Sequence, residues 1–183
     1  MRLKTCEKWG LIVSIDYINQ LVFEFRKALE FIADNRLYGR LSMFAYFPKE
    51  CCGYTTDLLA TYLIEKGVSR ERIQRLTGIT KKEGYTHCWL MIDECLYIDI
   101  TADQFNNRPY FKNYVPISSC FITKKDTGLY ECFDTKRIEY SHHFGIDTYS
   151  EDVSFKLEII YKTAIRQIQK CNMEESQYVE ASD

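Results

Sequence analysis

Cys52 has the sequence setting of a reactive thiol. It lies where a stretch containing Pro48 and Gly53 passes into a run of apolar residues with helical spacing. Unpaired amide groups at the start of a helix favour the thiolate, which is the nucleophilic form of cysteine. Cys52 is therefore our candidate nucleophile. The neighbouring Cys51 is the alternative, although it precedes the helix and is expected to point in another direction.

His87 and Asp99 supply the two other groups that thiol catalysis uses. They lie in the short apolar runs THCWLMID and YIDIT, which follow one another closely in the chain. An imidazole near the thiol takes up its proton, and a carboxylate bonded to the imidazole fixes its tautomer. We therefore expect Cys52 to act as the nucleophile, His87 as the base and Asp99 as the orienting acid.

The alternation of side chains predicts that His87 and Asp99 meet on one face of a β-hairpin. Alternate positions of residues 88–92 and of residues 96–100 are apolar, and successive side chains of a strand point to opposite faces. Matching the two apolar faces sets His87 directly opposite Asp99, with residues 92–94 as a three-residue turn. A two-residue turn would separate the pair, but the sequence lacks the Asn-Gly or Asp-Gly signal of such turns.

An acyl-transfer site also needs donors to an oxyanion and an apolar wall. The backbone amide of Cys52 is expected to be one donor. The side chains of Gln104 and Tyr46 are candidates for the second donor or for substrate binding, and each also fits a plain bond to local backbone. Trp89 lies on the face of His87, where it fits either a shield that excludes water or an ordinary core aromatic.

Periodicity predicts the elements that position these residues. Helical spacing of apolar residues predicts helices over residues 15–33, 52–66 and 150–170. Alternating and β-branched runs predict strands over residues 72–80, 86–92, 95–100, 115–123 and 129–140. Residues 1–172 are expected to form one domain, and residues 173–183 a flexible acidic tail.

Composition excludes several classes of function. The chain has 183 residues, of which 46% are hydrophobic and 27% charged, as in a soluble globular domain. Its net charge of -2 provides no basic field for a phosphate backbone, so no nucleic-acid partner is expected. We recognise neither a signal peptide nor a membrane span, and expect a cytoplasmic protein without a membrane partner.

The eight cysteines are expected to be mostly reduced core residues. The chain has no Cys-x-x-Cys pair and only three histidines, so no metal or other cofactor is expected. A zinc site in which Cys51, Cys52, His87 and Cys88 converge stays open as an alternative.

These motifs resemble the transglutaminase-like branch of the papain-fold cysteine protease superfamily, including its small prokaryotic and mobile-element members. The similar region runs from about residue 48 to residue 105. It has a cysteine at the start of a helix that ends in Gly67-Val68, then a His-x-Trp strand in HCWL and an acid in YIDIT. Two residues differ from the family pattern, because Ile100 replaces the usual proline and Cys88 takes the small position between His and Trp.

The resemblance implies an α+β fold, in which a central helix bearing Cys52 packs on an antiparallel sheet and helices are added at both ends. It also implies Cys52, His87 and Asp99 as the triad of a hydrolase or acyltransferase that attacks an amide bond and forms a thioester. A protein or peptide substrate is then expected, and peptidase, deamidase and transglutaminase reactions all stay open. The alternative is a catalytically inactive papain-fold binding or scaffold protein.

Overall fold

The protein folds as three helices against one antiparallel sheet. The structure, a computed structural model, describes residues 14–125 and 127–180, with side chains up to residue 174. Within these residues the helices are α1 (Ile15–Asp34), α2 (Cys52–Glu65) and α3 (Glu151–Glu180). The strands are β1 (Ile73–Ile79), β2 (Thr86–Ile92), β3 (Leu96–Asp99), β4 (Phe121–Lys124) and β5 (Glu139–Ser141). The α+β class predicted from the sequence is confirmed.

The sheet has the order β4-β3-β2-β1-β5 and separates two hydrophobic clusters. Leu90, Ile92 and Ile98 pack against the three helices on one face, which we call the helical layer. The other face carries the aromatic layer, whose main members are Trp89, Tyr97, Phe105, Phe111, Tyr130 and Phe133. Short 3₁₀ turns at Ala102–Phe105, Pro109–Tyr114 and Gly128–Cys132 cover this second face. None of the described helices is long and apolar enough to cross a membrane.

α2 is the central helix, as its composition predicts. Its Leu58, Leu59 and Leu63 are all buried, and buried residues occur around the whole helix rather than on one stripe. A helix that is apolar on every side is stable only inside a core. α2 ends before Gly67, which has a φ of +93° that L-residues rarely adopt. The burial of α2 in the core thereby holds the start of the helix over the sheet.

The predicted hairpin register is wrong by two residues. In the structure Leu90 pairs with Ile98 and Ile92 pairs with Leu96, so residues 93–95 form the turn and His87 does not lie directly opposite Asp99. Because the shift is an even number, the two residues still share one face. Their side chains meet diagonally across the hairpin.

The turn between β2 and β3 explains the shift. Asp93 and Glu94 both have positive φ values, 52° and 57°, which the sequence pattern did not suggest for these residue types. The Asp93 carboxylate accepts two hydrogen bonds from Arg72, at 2.8 and 2.7 Å. This ion pair ties the turn to the residue before β1, and it depends on a contact distant in sequence.

Two predicted strands are largely replaced by turns and loops. β4 begins at Phe121 rather than at Val115, since Pro116 has no amide to donate and the Asn106 side chain binds both backbone groups of Ile117, at 2.7 and 3.0 Å. Of residues 129–140, the structure assigns only Glu139 and Tyr140 to a strand. The apolar residues before them point into the aromatic layer from 3₁₀ turns.

α3 extends further than its apolar pattern predicts. It runs from Glu151 to Glu180 rather than ending at Lys170, and therefore includes most of the segment that we expected to be a tail. An ion pair between Lys170 and Glu174, at 3.8 Å and one turn apart, lies on this extension. Residues 181–183 lie outside the described part of the chain.

Candidate functional site

His87 and Asp99 form a buried pair. Nε2 of His87, in β2, donates to Oδ2 of Asp99, at the end of β3, over 2.5 Å. Asp99 also accepts from the Tyr130 hydroxyl at 3.1 Å, and its other oxygen accepts from the backbone amide and hydroxyl of Thr101 at 2.8 and 3.0 Å. A buried carboxylate is costly unless such donors surround it. Burial, and secondarily the charge of Asp99, raise the pKa of Tyr130 well above its usual value.

Gln104 fixes the tautomer of His87. Its Nε2 lies 2.9 Å from the carbonyl oxygen of Thr101 and 3.1 Å from Nδ1 of His87. A carbonyl oxygen can only accept, so this end of the amide is the NH₂ group, and its second hydrogen points at Nδ1. The ring is therefore neutral, with its proton on Nε2. Gln104 was a candidate oxyanion donor, yet both of its N–H groups are already engaged.

The imidazole is enclosed by aromatic rings. Its centroid lies 4.9 Å from that of Phe105, 5.9 Å from Trp89 and 6.0 Å from Phe133, and the ring is fully buried. Trp89 is therefore a core residue, and its ring is stacked against that of His87. Its indole passes over Gly78, where an added β-carbon would lie only 2.5 Å from the ring.

Cys52 lies at the start of α2, as predicted, but its thiol interacts with the Cys88 thiol rather than with His87. The two sulfurs share a hydrogen bond. His87 and Cys88 are neighbours in β2, so their side chains leave the sheet on opposite faces. Thr56 in the first turns of α2 donates to the Cys88 carbonyl at 3.1 Å. Among the described residues no hydrogen bond joins Cys52 to His87.

Cys88 is the thiol of the pair that lies beside a cation and a hydroxyl. Its sulfur accepts from Nη2 of Arg75 at 3.2 Å and lies 3.5 Å from the hydroxyl of Thr77. The hydrogen bond from Cys52 and the charge of Arg75 lower the pKa of Cys88 to about 6, although burial opposes them. The same thiol–thiol bond, together with burial, raises the pKa of Cys52.

A buried acid holds Arg75 in place. Oδ2 of Asp57, one turn beyond Cys52 in α2, lies 3.3 Å from Nε of Arg75. Asp57 also accepts from the Tyr149 hydroxyl and from the backbone amide of Gly145, the latter at 3.1 Å. Burial raises the pKa of Asp57 while Arg75 acts in the other direction. No role for Arg75 or Asp57 was predicted from the sequence.

The alternation of side chains in β2 already indicated part of this second group of residues, which surrounds Cys88. It placed Cys88 on the apolar face of the hairpin, and a helix opening with Cys52 had to cover that face. Arg75 pairs with Leu90, and Thr77 with Cys88, across β1 and β2, which brings both side chains to the same face. We call Cys52, Cys88, Arg75, Thr77 and Asp57 the dithiol cluster.

Arg26 fastens the segment after β3 to α1. Its guanidinium donates to the Ile100 carbonyl and binds both carboxylate oxygens of Asp103, at 3.0 and 2.9 Å. It is only 4% exposed, and it also binds Glu30 and lies 4.4 Å from the ring centroid of Phe47. Burial raises the pKa of Asp103 against the opposing effect of Arg26. These contacts of Arg26 with Ile100 and Asp103, which we call the clamp, therefore restrain the short segment that carries Thr101 and Gln104.

The remaining candidates lie outside these networks. Tyr46 is 61% exposed, and among the described residues it makes no side-chain hydrogen bond to the site. Cys51 is buried, which raises its pKa to about 12, and the pKa of Cys52 is raised as well. The described residues contain no group of three or more His, Cys, Asp or Glu side chains arranged to hold a metal ion, so the zinc alternative gains no support.

Two groups of side chains thus flank the start of β2. His87, Asp99 and Gln104 lie in the aromatic layer, and the dithiol cluster lies under the first turns of α2. Comparisons of the chain with protein-family models, with curated proteins and with solved structures found no match.

Proposed function

We propose that the protein is a thiol-dependent hydrolase or acyltransferase that attacks an amide bond. Cys52 would be the nucleophile, His87 the base and Asp99 the orienting acid. The observation that carries this proposal is the buried His87–Asp99 pair, because a carboxylate held by four donors keeps the imidazole proton on Nε2. Nδ1 is then the basic nitrogen, as a thiol enzyme requires. The helix that opens with Cys52 over an antiparallel sheet is also what a transglutaminase-like core would have.

The reaction would proceed through a thioester. Nδ1 of His87 takes the Cys52 proton while the sulfur attacks the carbonyl carbon, and the backbone amide of Cys52 donates to the oxyanion. The imidazolium then returns the proton to the leaving amine, and the C–N bond breaks. Water or a second amine finally accepts the acyl group, which distinguishes a peptidase or deamidase from a transglutaminase.

Two hydrogen bonds must break before this reaction begins, and the Cys52 thiol and the His87 ring, which lie on opposite faces of the sheet, must be brought together. Gln104 occupies Nδ1 of His87, and Cys52 is bonded to Cys88. A typical hydrogen bond contributes only about 1 kcal/mol net. A substrate that binds with a Kd of about 1 mM releases about 4 kcal/mol, which exceeds the cost of breaking both bonds.

A binding or scaffold protein is the second candidate function. It is favoured by the same hydrogen bonds, since both ring nitrogens of His87 have partners and the ring is fully buried. A site that is closed in this way fits a protein in which the His87–Asp99 pair stabilises the fold and does not take part in catalysis.

Acylation by an activated ester separates the two candidates. We expect p-nitrophenyl acetate to give a burst of p-nitrophenol and an acetyl group on Cys52, identified by peptide mass mapping. Cys52→Ser should abolish the burst, and His87→Ala and Asp99→Asn should slow it by about 10²-fold or more. Ammonia release from a glutamine peptide would then detect amide chemistry of the deamidase or transglutaminase kind.

Cys120→Ser is the matched control, because Cys120 is another half-buried cysteine that contacts neither network. It should show the wild-type burst. Acetylation spread evenly over the cysteines, or a burst that His87→Ala leaves unchanged, would contradict the enzyme and favour the scaffold.

A further inference from the structure

The dithiol cluster brings Cys52 and Cys88 together where the first turns of α2 pack on β2. The Cys52 thiol bonds to Cys88, and a β-carbon added to Gly53 would lie 4.0 Å from the Cys88 sulfur. The same added carbon would lie 3.2 Å from Nη2 of Arg75. A glycine after Cys52 therefore leaves room for the guanidinium to approach the sulfur of Cys88.

The surroundings of Cys88 differ from those of the other described cysteines. Burial raises the pKa of Cys51 to about 12 and that of Cys120 to about 11, and it also raises the pKa of Cys132. Cys88 has a guanidinium and a hydroxyl within reach, and its pKa falls to about 6. The thiolate is the form that reacts with oxidants, so Cys88 combines a thiolate with a neighbouring thiol.

We propose that Cys52 and Cys88 are a redox-active dithiol, which a hydroperoxide converts to a disulfide between α2 and β2. The Cys88 thiolate attacks one peroxide oxygen, an S–O bond forms, the O–O bond breaks, and the departing oxygen takes a proton from solvent. The Cys52 sulfur then attacks the Cys88 sulfur, the S–O bond breaks, and water leaves with the Cys52 proton. The two sulfurs lose two electrons in total, and the peroxide takes them up.

The position of Cys52 makes this chemistry accessible. Cys88 is 7% exposed, whereas Cys52 is half-buried at the open end of α2. Hydrogen peroxide is scarcely larger than water, so it can reach the sulfur of Cys88, which is slightly exposed beside Cys52 at this end of the helix. The disulfide would consume the thiol that we assign as nucleophile, so its regulatory consequence, a reversible loss of acyl transfer, rests on the proposed function.

Thiol mapping tests the proposal without any substrate. The reduced full-length protein is treated with hydrogen peroxide at pH 7, alkylated, digested and analysed by mass spectrometry. We expect a peptide pair linked through Cys52 and Cys88, with the loss of two thiols and their recovery on addition of dithiothreitol. In Cys52→Ser we expect Cys88 to stop at the sulfenic acid, which a 1,3-diketone reagent captures.

Variants of the two donors test the role assigned to the surroundings of Cys88. Arg75→Gln should slow disulfide formation about tenfold at pH 7, because less Cys88 is ionised. If that variant does not fold, as judged by circular dichroism, Thr77→Val should still slow the reaction about threefold. Cys120→Ser is the matched control and should form the disulfide at the wild-type rate.

Three outcomes would overturn the proposal: a disulfide to a different cysteine, oxidation of Cys52 alone with Cys88 left as a thiol, or wild-type rates in both donor variants. A Cys52–Cys88 disulfide in a protein that acylates no ester would support the dithiol and count against the proposed function alone. The two proposals therefore fail separately.

Discussion

At Gln104 a single amide group determines the protonation of the neighbouring imidazole. The amide donates to Nδ1 of His87, which keeps that nitrogen unprotonated. Gln104→Glu replaces this donor with a carboxylate that can only accept when ionised, so we expect His87 to become an imidazolium at neutral pH. Long-range ¹H–¹⁵N correlation spectra of the histidine rings distinguish the two forms.

A second glutamine–histidine contact supplies the control. Nε2 of Gln74 lies 2.9 Å from Nε2 of His142 at the surface. Gln74→Glu should alter only the His142 signals and leave those of His87 unchanged. A neutral His87 pattern in Gln104→Glu would show that the amide does not set the tautomer.

The lowered pKa of Cys88 makes stability depend on pH. Between about pH 6 and pH 9 the folded chain holds a thiolate where the unfolded chain holds a thiol. The unfolded state then binds more protons, so the free energy of unfolding rises with pH across this window. We expect the free energy of unfolding to rise more steeply with pH in the wild type than in Cys88→Ser, as measured by urea unfolding at the two ends of the window.

The raised pKa of Cys52 acts in the opposite direction, but only above the window, where stability should fall again as pH rises. A pH dependence that is the same in the wild type and in Cys88→Ser would mean that Cys88 is not ionised in the folded protein.

At this scale the sequence was sufficient to place Cys52 at a helix start and to put His87 and Asp99 on one face of a hairpin. It did not reveal that Gln104 binds His87, since that bond depends on a 3₁₀ turn at Ala102–Phe105. The same limit applies to Cys88. Its charge depends on Arg75, which reaches it only through strand pairing and through Asp57.

Among the elements, α1 positions the site through one side chain. Arg26 binds the Ile100 carbonyl and Asp103, and removing it would leave a largely buried carboxylate without its cation. We expect Arg26→Leu to lower the free energy of unfolding by about 2 to 3 kcal/mol, as measured by urea unfolding. Adding Asp103→Ala should recover part of this loss, because it removes the unpaired charge.

The next residue of α1 provides a matched control for the clamp. Lys27 is exposed and contacts the ring of Phe23 at the surface. Lys27→Ala should change the free energy of unfolding by no more than about 0.5 kcal/mol. If Arg26→Leu were equally mild, or if the second substitution added to the loss, the ion pair would not be what holds this segment.

Elements with strong periodicity were predicted well, and those that depend on distant contacts were not. α1, α2 and β1 follow from the spacing of their apolar residues, because burial of those residues is what stabilises them. β4 and the turn after β2 were misplaced, since Asn106 and Arg72 set them through bonds to residues 11 and 21 positions away. Such bonds leave no local pattern.

In the whole molecule the two faces of the sheet are covered by different kinds of structure. Helices with continuous backbone hydrogen bonds cover the helical layer, whereas 3₁₀ turns and loops cover the aromatic layer. The hydrogen bonds of 3₁₀ turns have poorer geometry than those of α-helices, and short runs of them lack cooperative support. The turns and loops that cover His87 are therefore less stable than the helices on the other face of the sheet.

Hydrogen exchange measures this difference. We expect amides of residues 102–114 and 128–137 to exchange through local openings. The free energy of these openings should be lower by at least about 2 kcal/mol than that of the openings that expose α2, a difference of roughly 30-fold in protection. Peptide-resolved exchange followed by mass spectrometry gives both values in one experiment. Since the His87 ring is fully buried, the proposed reaction would need these openings to expose Nδ1. Equal protection on both faces would mean that the aromatic layer opens only on global unfolding, and would favour the scaffold over the enzyme.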